Sequence, residues 1–364
     1  MDEPLDRLLS KALAARADLF DTKHEVAFRL FNGFTEGWPD LAVDVYGTTL
    51  LLHDYSVQPG EGVADDPAAG EAEGPDPMTV VHEFYRARLP WIDAVLLKTH
   101  QSQTSEARNG RVLLGTTLTR KVREPGAPVP AWYSIDLTLN RDASLYLDTR
   151  CLRNWAMRNL GGKRVLNTFA YTGSLGVAAR AGGAARVTHV DLNREFLNVA
   201  KTSYTLNGFP IDKRDFQGAD FWPQISLMIR AGDLFDCVLL DPPIFAATRK
   251  GVVDAAKNYA RVVNKVRPLI ADGGCLVAVN NGVFASGVEY LEVLKSLGAG
   301  GYLTVDELIP VDEDFAGYEA TRVPGSGADP APFNHSTKIA VIRVRRKDAM
   351  GSNPGEHDRV TDGA

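Results

Sequence analysis

Val165-Leu-Asn-Thr-Phe-Ala-Tyr-Thr-Gly-Ser-Leu-Gly176 is the stretch whose reading decides the fold. An apolar strand over 163–166 runs into a short polar turn with a glycine, and Ser174 to Ala181 reads as an apolar helix. Arg186-Val-Thr-His-Val-Asp191 follows as a second strand that ends on an acid. This is the first βαβ unit of a nucleotide-type fold, with a carboxylate at the tip of the second strand placed to accept from ribose hydroxyls. The turn lacks the full G-x-G-x-x-G spacing and carries no Gly-Lys-Ser/Thr, so it is not a phosphate cradle. A nucleoside cofactor without pyrophosphate fits it better than NAD or ATP, S-adenosylmethionine above all.

Outward from this unit, helix and strand alternate from Tyr133 onward. Helices are read at 149–159, 174–181, 194–207, 220–230, 259–269 and 288–297. Strands are read at 187–190, near Phe216 and ending at Asp220, at 235–240, 275–279 and 337–344. Such alternation predicts a Rossmann-like α/β domain over 133–345, a mostly parallel seven-stranded sheet with ligands at the carboxyl ends of its strands. Upstream, 1–25 reads as an N-terminal helix on the spacing of Leu5, Leu8, Leu9 and Leu13, and 26–119 as a smaller α/β domain. Within that domain, 59–77 is rich in Pro, Gly, Ala, Asp and Glu and is expected to be a disordered acidic loop. The basic, Pro-rich segment 120–132 reads as a linker, and 346–364 as a disordered tail.

A formal net charge of −6 gives no global attraction to nucleic acid, so RNA binding would need a local basic face. Candidates are Arg120, Lys121 and Arg123, then Arg249 and Lys250, then Arg261, Lys265 and Arg267. No run approaches a membrane span, and the acidic start lacks the order of a signal peptide. The three cysteines, Cys151, Cys237 and Cys275, have no ligand spacing. A cytoplasmic enzyme without metal or membrane attachment is the expectation; the sequence leaves its oligomeric state open.

Three acids fall where such a sheet needs them. Asp191, with Leu192 and Asn193, would meet the ribose; Asp220 would accept from the adenine amino group; Asp241 would stand at the switch point. Each could also cap a helix or sit in a solvated turn. Asn167, Thr168, Phe169, Ala170, Tyr171, Thr172 and Gly173 would wrap the methionine part. Asp148 and Arg150 would close over its end, Arg150 pairing the carboxylate, with a capping box or a surface ion pair as the equal alternative. Asp241-Pro242-Pro243 makes a rigid turn after a buried strand, and Phe245 would stack on a flat base or join the core.

Taken in order, these residues resemble the large-subunit ribosomal RNA guanine-N7 methyltransferases. The matching pieces are Leu145-Tyr-Leu-Asp-Thr-Arg150, Val165 to Gly173, Val190-Asp-Leu-Asn-Arg-Glu-Phe-Leu197, Leu206-Asn-Gly-Phe209 and Asp241-Pro-Pro-Ile-Phe245. Asp272-Gly-Gly274, Asn280-Asn281, Asp314-Phe-Ala316 and Phe333-Asn-His335 echo the family too. The related cytosine-C5 branch shares the stretch Glu36 to Gly47, and the likeness spans roughly Phe28 to Arg345. Neither a PUA-like module nor a second methyltransferase half is read here. The resemblance implies S-adenosylmethionine as cofactor and an RNA base as acceptor. In the cytosine branch a cysteine at the end of the fifth strand adds to C6; Asn280-Asn281 stands at that place here. The three cysteines read as small core residues. The expected activity is therefore methylation of 23S rRNA at guanine N7 without a covalent adduct, Asp241 and Asn280 orienting the base. Cytosine-C5 methylation, a small-molecule or protein methyltransferase on the same fold, and a catalytically silent RNA-binding module are the alternatives.

Overall fold

In a computed structural model, residues 3–57, 76–125, 129–243, 245–248, 251–283, 285–323 and 328–346 are described, with 245–248 and 251–258 as backbone course only. The acidic loop up to residue 75, the tail from 347, Arg249 and Lys250, and the Phe245 side chain lie outside the described residues.

Near-continuous apolar runs make the first sheet. β1 (Ala27–Asn32), β2 (Leu41–Tyr46), β3 (Thr49–Asp54), β4 (Ala94–Thr99) and β5 (Arg111–Leu114) lie side by side in sequence order. Only β3 and β4 run parallel. β2 and β3 are buried at all six positions because both faces are covered. On one face, Leu8, Leu9 and Ala12 of helix Leu5–Ala15 and Val81 and Tyr85 of helix Pro77–Arg88 pack on Leu30, Val43, Leu50 and Leu52. Pro77 begins that helix and Asp76 caps it by accepting from Thr79 N, so the helix starts inside the segment read as loop. On the other face, Tyr46, Leu51 and Leu96 join a core with Leu145, Leu147 and Ile309, which fuses the sheet to the larger domain.

The segment read as a linker is structured in its described residues. β6 (Lys121–Glu124) and β7 (Ala131–Ser134) form an antiparallel hairpin. Its anchor is the buried ion pair of Glu124 with Arg153, both nearly inaccessible. Asn207 brackets the Trp132 backbone, accepting from its N–H and donating to its carbonyl. Composition signals a chain break at Pro-rich stretches but is blind to such long-range partners.

The larger sheet contains β8 (Arg164–Thr168), β9 (Arg186–Asp191), β10 (Phe216–Gly218), β11 (Phe235–Leu240), β14 (Ile270–Asn280), β15 (Leu303–Ile309) and β16 (Lys338–Val344). A short hairpin of β12 (Phe245–Thr248) and β13 (Gly251–Asp254) stands apart. The order is β10-β9-β8-β11-β14-β16-β15, parallel except for β16, which runs against both neighbours. Chain direction reverses outward between β8 and β11, the switch point at which such sheets bind ligands. β15 was absent from the sequence reading: it is an edge strand whose acids interrupt the apolar pattern. Asp220 does not end β10; it caps helix Phe221–Ala231, accepting from Trp222 N.

Candidate cofactor and acceptor site

β8 delivers its turn in a conformation only special residues adopt. Phe169, Tyr171 and Gly173 all have positive φ, at 51°, 50° and 77°. Two of them carry side chains, a cost that persists only where surroundings enforce it. Here Ala170 N–H donates to Val190 O, and Tyr171 N–H donates to Asp191 Oδ2 at 2.7 Å, so the second strand holds the turn of the first. Gly173 is required by packing as well as by φ. A Cβ there would lie 2.6 Å from Ala200 Cβ, and one on Gly176 would overlap the His189 ring.

Above this turn lies a cavity of about 370 Å³, lined from the ends of β8, β9, β11 and β14 and from the loop 140–149. That volume suits a small molecule. Phe169 and Phe221 stack at 4.5 Å, and Leu192, 66% exposed, adds an apolar edge, as a flat base requires. Asp191 accepts from Tyr171 N–H and Asn193 N–H and keeps lone pairs free for hydroxyl donors. Burial raises its carboxyl above the ordinary range against those two bonds. Asp241 is pushed up to about 7 by burial and by the nearby charge of Asp148. Asp142 and Asp220 complete four carboxylates in the lining, and no Lys, Arg or His is among the described lining residues. Such a lining repels a pyrophosphate and attracts a cation, which fits a nucleoside carrying a sulfonium and an ammonium. Asn281 also lines the cavity, and among the described residues its buried Oδ1 has no donor.

The structure brings Asn167, Phe169, Ala170, Tyr171, Asp191, Leu192, Asp220, Asp241, Pro242 and Pro243 to this cavity. Other residues singled out from sequence go elsewhere. Arg150 cannot pair a cofactor carboxylate, because it is spent on Asp312 (2.9 Å) and Asp314 (2.7 Å) where the two sheets meet. Asp148 accepts from Thr337 Oγ1 and acts on Asp241 only through its charge. Thr168 donates to Leu239 O, and Thr172 to Ser144 O. Asn193 caps helix Arg194–Leu206. Asn280 turns back to accept from Gly282 N–H, leaving the cavity to its neighbour Asn281.

Asn140, Asp142, Tyr146 and Thr149 were missed, although Tyr146 and Thr149 fall within the matching piece Leu145 to Arg150. Tyr146 Oη donates to Asp142, Tyr171 Oη donates to Asn140 Oδ1, and the two rings lie 5.3 Å apart. A polar loop ahead of a helix carries no periodicity that would mark which residues turn inward. The basic candidates engage local partners: Lys121 lies over Trp132, Arg261 over Trp222 and Arg267 over Tyr302, and Lys265 donates to Ser226.

A seven-stranded sheet with this order and an anionic switch-point pocket defines the class: a Rossmann-like fold of the S-adenosylmethionine-dependent methyltransferases. Comparison with known proteins agrees. The signature of the S-adenosylmethionine-dependent methyltransferase family matches residues 126–306. Ribosomal RNA large subunit methyltransferase K of Neisseria meningitidis is 34% identical over 70% of this chain and 69% of its own. Ribosomal RNA large subunit methyltransferase I of Photobacterium profundum is 32% identical over 76% and 66%. The chain belongs to this family, whose cofactor is S-adenosylmethionine. It spans about 65% of the length of several curated relatives it matches. Among solved structures, SMU.776 complexed with SAH shares the fold at a TM-score of 0.73 and 20% identity, over 93% of this chain and 80% of that one. The SAM-dependent methyltransferase from Agrobacterium tumefaciens does so at 0.55 and 20%, over 85% and 88%. No described helix is long and apolar enough to cross a membrane.

Proposed function

We propose that this chain methylates a base of large-subunit ribosomal RNA in the cytoplasm, at guanine N7 and without a covalent adduct. The placement of the three cysteines carries the reading. C5 of cytosine is a poor nucleophile and needs a thiolate on C6. Cys237 and Cys275 face each other across β11 and β14, four and six residues before Asp241 and Asn281. At the rise of a strand, that is about 13 and 20 Å short of the cavity. Cys151 sits on the helix Arg150–Asn159, its thiol pushed up to about 12 by burial and by Asp312. None of the three lines the pocket.

S-adenosylmethionine bound in the cavity would supply an electrophilic methyl group on a sulfonium. Asp191 would accept from the ribose, Phe169, Phe221 and Leu192 would enclose the adenine, and Asp142 would accept from the α-ammonium. Guanine N7 offers an in-plane lone pair, so positioning supplies most of what the reaction needs. Asp241 and Asn281 stand where they would hold the base edge, Pro242 and Pro243 fixing the turn without donors of their own. Methylation at N7 removes no proton and leaves the purine more positive, and an ionised Asp241 would oppose that charge. The names of the relatives support RNA as the acceptor.

One observation favours a second reading, transfer to an exocyclic amino group. Asn281 Oδ1 and an ionised Asp241 are both acceptors, and an amino group would satisfy them. Labelled S-adenosylmethionine with ribosomal subunits and free RNA, followed by nucleoside mass spectrometry, separates the readings. 7-Methylguanosine is expected, and it should persist when all three cysteines are replaced by alanine. Label in 5-methylcytidine would overturn the adduct-free route.

A further inference from the structure

Lys98 is a charged residue at a place where the packing asks for an apolar one. It leaves β4 two residues after Leu96, on the face that packs against the larger domain, and it is fully buried. Burying an ammonium is costly unless its hydrogens are taken up. Among the described residues its acceptors are two backbone carbonyls, Asn140 O at 2.7 Å and Asp142 O at 3.0 Å. Both belong to residues that line the cofactor cavity.

The loop from Asn140 to Tyr146 forms no helix or strand, so side-chain contacts rather than a ladder set its course. The larger domain holds one side, Tyr171 Oη donating to Asn140 Oδ1 at 3.1 Å and Thr172 Oγ1 to Ser144 O. The small sheet holds the other through Lys98 and through Tyr46 Oη, which donates to Leu145 O at 2.9 Å. Between these anchors Ser144 keeps a positive φ of 60°. Within the loop, Asp142 N–H donates to Asn140 Oδ1 at 3.1 Å and Tyr146 Oη donates to Asp142 Oδ2 at 2.9 Å. Among the described residues nothing donates to Asp142 Oδ1, and Asp142 is only half-buried.

We propose that Lys98 is a positioning residue for the cofactor: reaching across from the small domain, it fixes the Asn140–Asp142 turn so that the Asp142 carboxylate meets the α-ammonium of S-adenosylmethionine. This rests on the cofactor orientation proposed above. Charge alone predicts the opposite effect of removing Lys98. Loss of a cation beside a pocket lined by carboxylates should tighten a cationic ligand, so weakened binding reports the lost hydrogen bonds.

Calorimetric titration of the full chain with S-adenosylmethionine and with methylthioadenosine tests the proposal. The second ligand keeps adenine, ribose and sulfur but lacks the amino-acid part. Lys98→Met should weaken S-adenosylmethionine about tenfold, as loss of one hydrogen bond to a charged group does, and leave methylthioadenosine within about twofold. Unchanged or tightened S-adenosylmethionine, or equal losses for both ligands, the result of a merely structural role, would overturn it. Lys98→Gln, whose neutral amide is one atom shorter, is the second variant and should show the same selective loss. If neither variant folds by circular dichroism, Lys98 serves folding and the proposal falls. Asp142→Asn separates failure of the cofactor orientation, since it should itself lose S-adenosylmethionine selectively. Full affinity in Asp142→Asn would overturn the orientation and the proposal together, whereas loss there with full affinity in Lys98→Met would overturn the proposal alone.

Discussion

Lowering the pH from 8 to 6 should weaken S-adenosylmethionine binding about tenfold, and Asp241 is the cause. Burial and the charge of Asp148 push its carboxyl up to about 7 in the free protein. A cationic cofactor in a pocket whose described lining holds four carboxylates and no Lys, Arg or His favours that group ionised. The ionised fraction is about 0.9 at pH 8 and about 0.1 at pH 6, and apparent affinity scales with it. The same shift sets a stability cost of known sign. The folded-state pKa lies above the ordinary 3.8, so the native protein binds more protons between about pH 4 and 7. Stability therefore falls as pH rises through that window, and the full cost is present at pH 8. Asp241→Asn should consequently flatten the pH dependence of cofactor binding and raise the melting temperature of the free protein at pH 8. Calorimetric titration at pH 6, 7 and 8 and thermal melts of both proteins provide the readouts. Affinity that stays constant across this range, or a variant melting below the unaltered protein at pH 8, would refute the reasoning.

Other outcomes follow from particular contacts. Arg153→Met leaves Glu124 charged and buried, which should cost about 3–5 kcal/mol by urea unfolding. The double replacement by apolar residues should recover much of that loss. Gly176→Ala drives a methyl group into the His189 ring and should destabilise by about 1–3 kcal/mol in the same assay. Asn281→Ala should lower kcat with RNA while leaving S-adenosylmethionine affinity within about twofold, whereas Asn280→Ala should act on stability through the lost turn bond to Gly282.

Sequence patterns reveal what depends on local order. The first βαβ unit, the acid closing β9 and the Asp-Pro-Pro turn after β11 were readable because strand, turn and helix are neighbours in the chain. Residues whose partners are distant were not. Arg150 looked like a cofactor ligand because its two acids lie 162 and 164 residues away. The 120–132 hairpin is held by Arg153 and Asn207, so its composition alone suggested a linker. Asn280 is the last residue of β14 and bonds back to Gly282, whereas Asn281 lies just beyond the strand and lines the cavity. The pair marked the place but not the member that faces the cavity.

Calorimetric titration of S-adenosylmethionine into the unaltered protein and Asp191→Ala is the most direct test of the cofactor site. The site described here predicts one binding event per chain. Loss of the ribose-facing carboxylate should weaken it at least about tenfold, given about 1.5–3 kcal/mol for each hydrogen bond to a charged group, with the fold intact by circular dichroism. No binding by the unaltered protein, or undiminished affinity in Asp191→Ala, would contradict it.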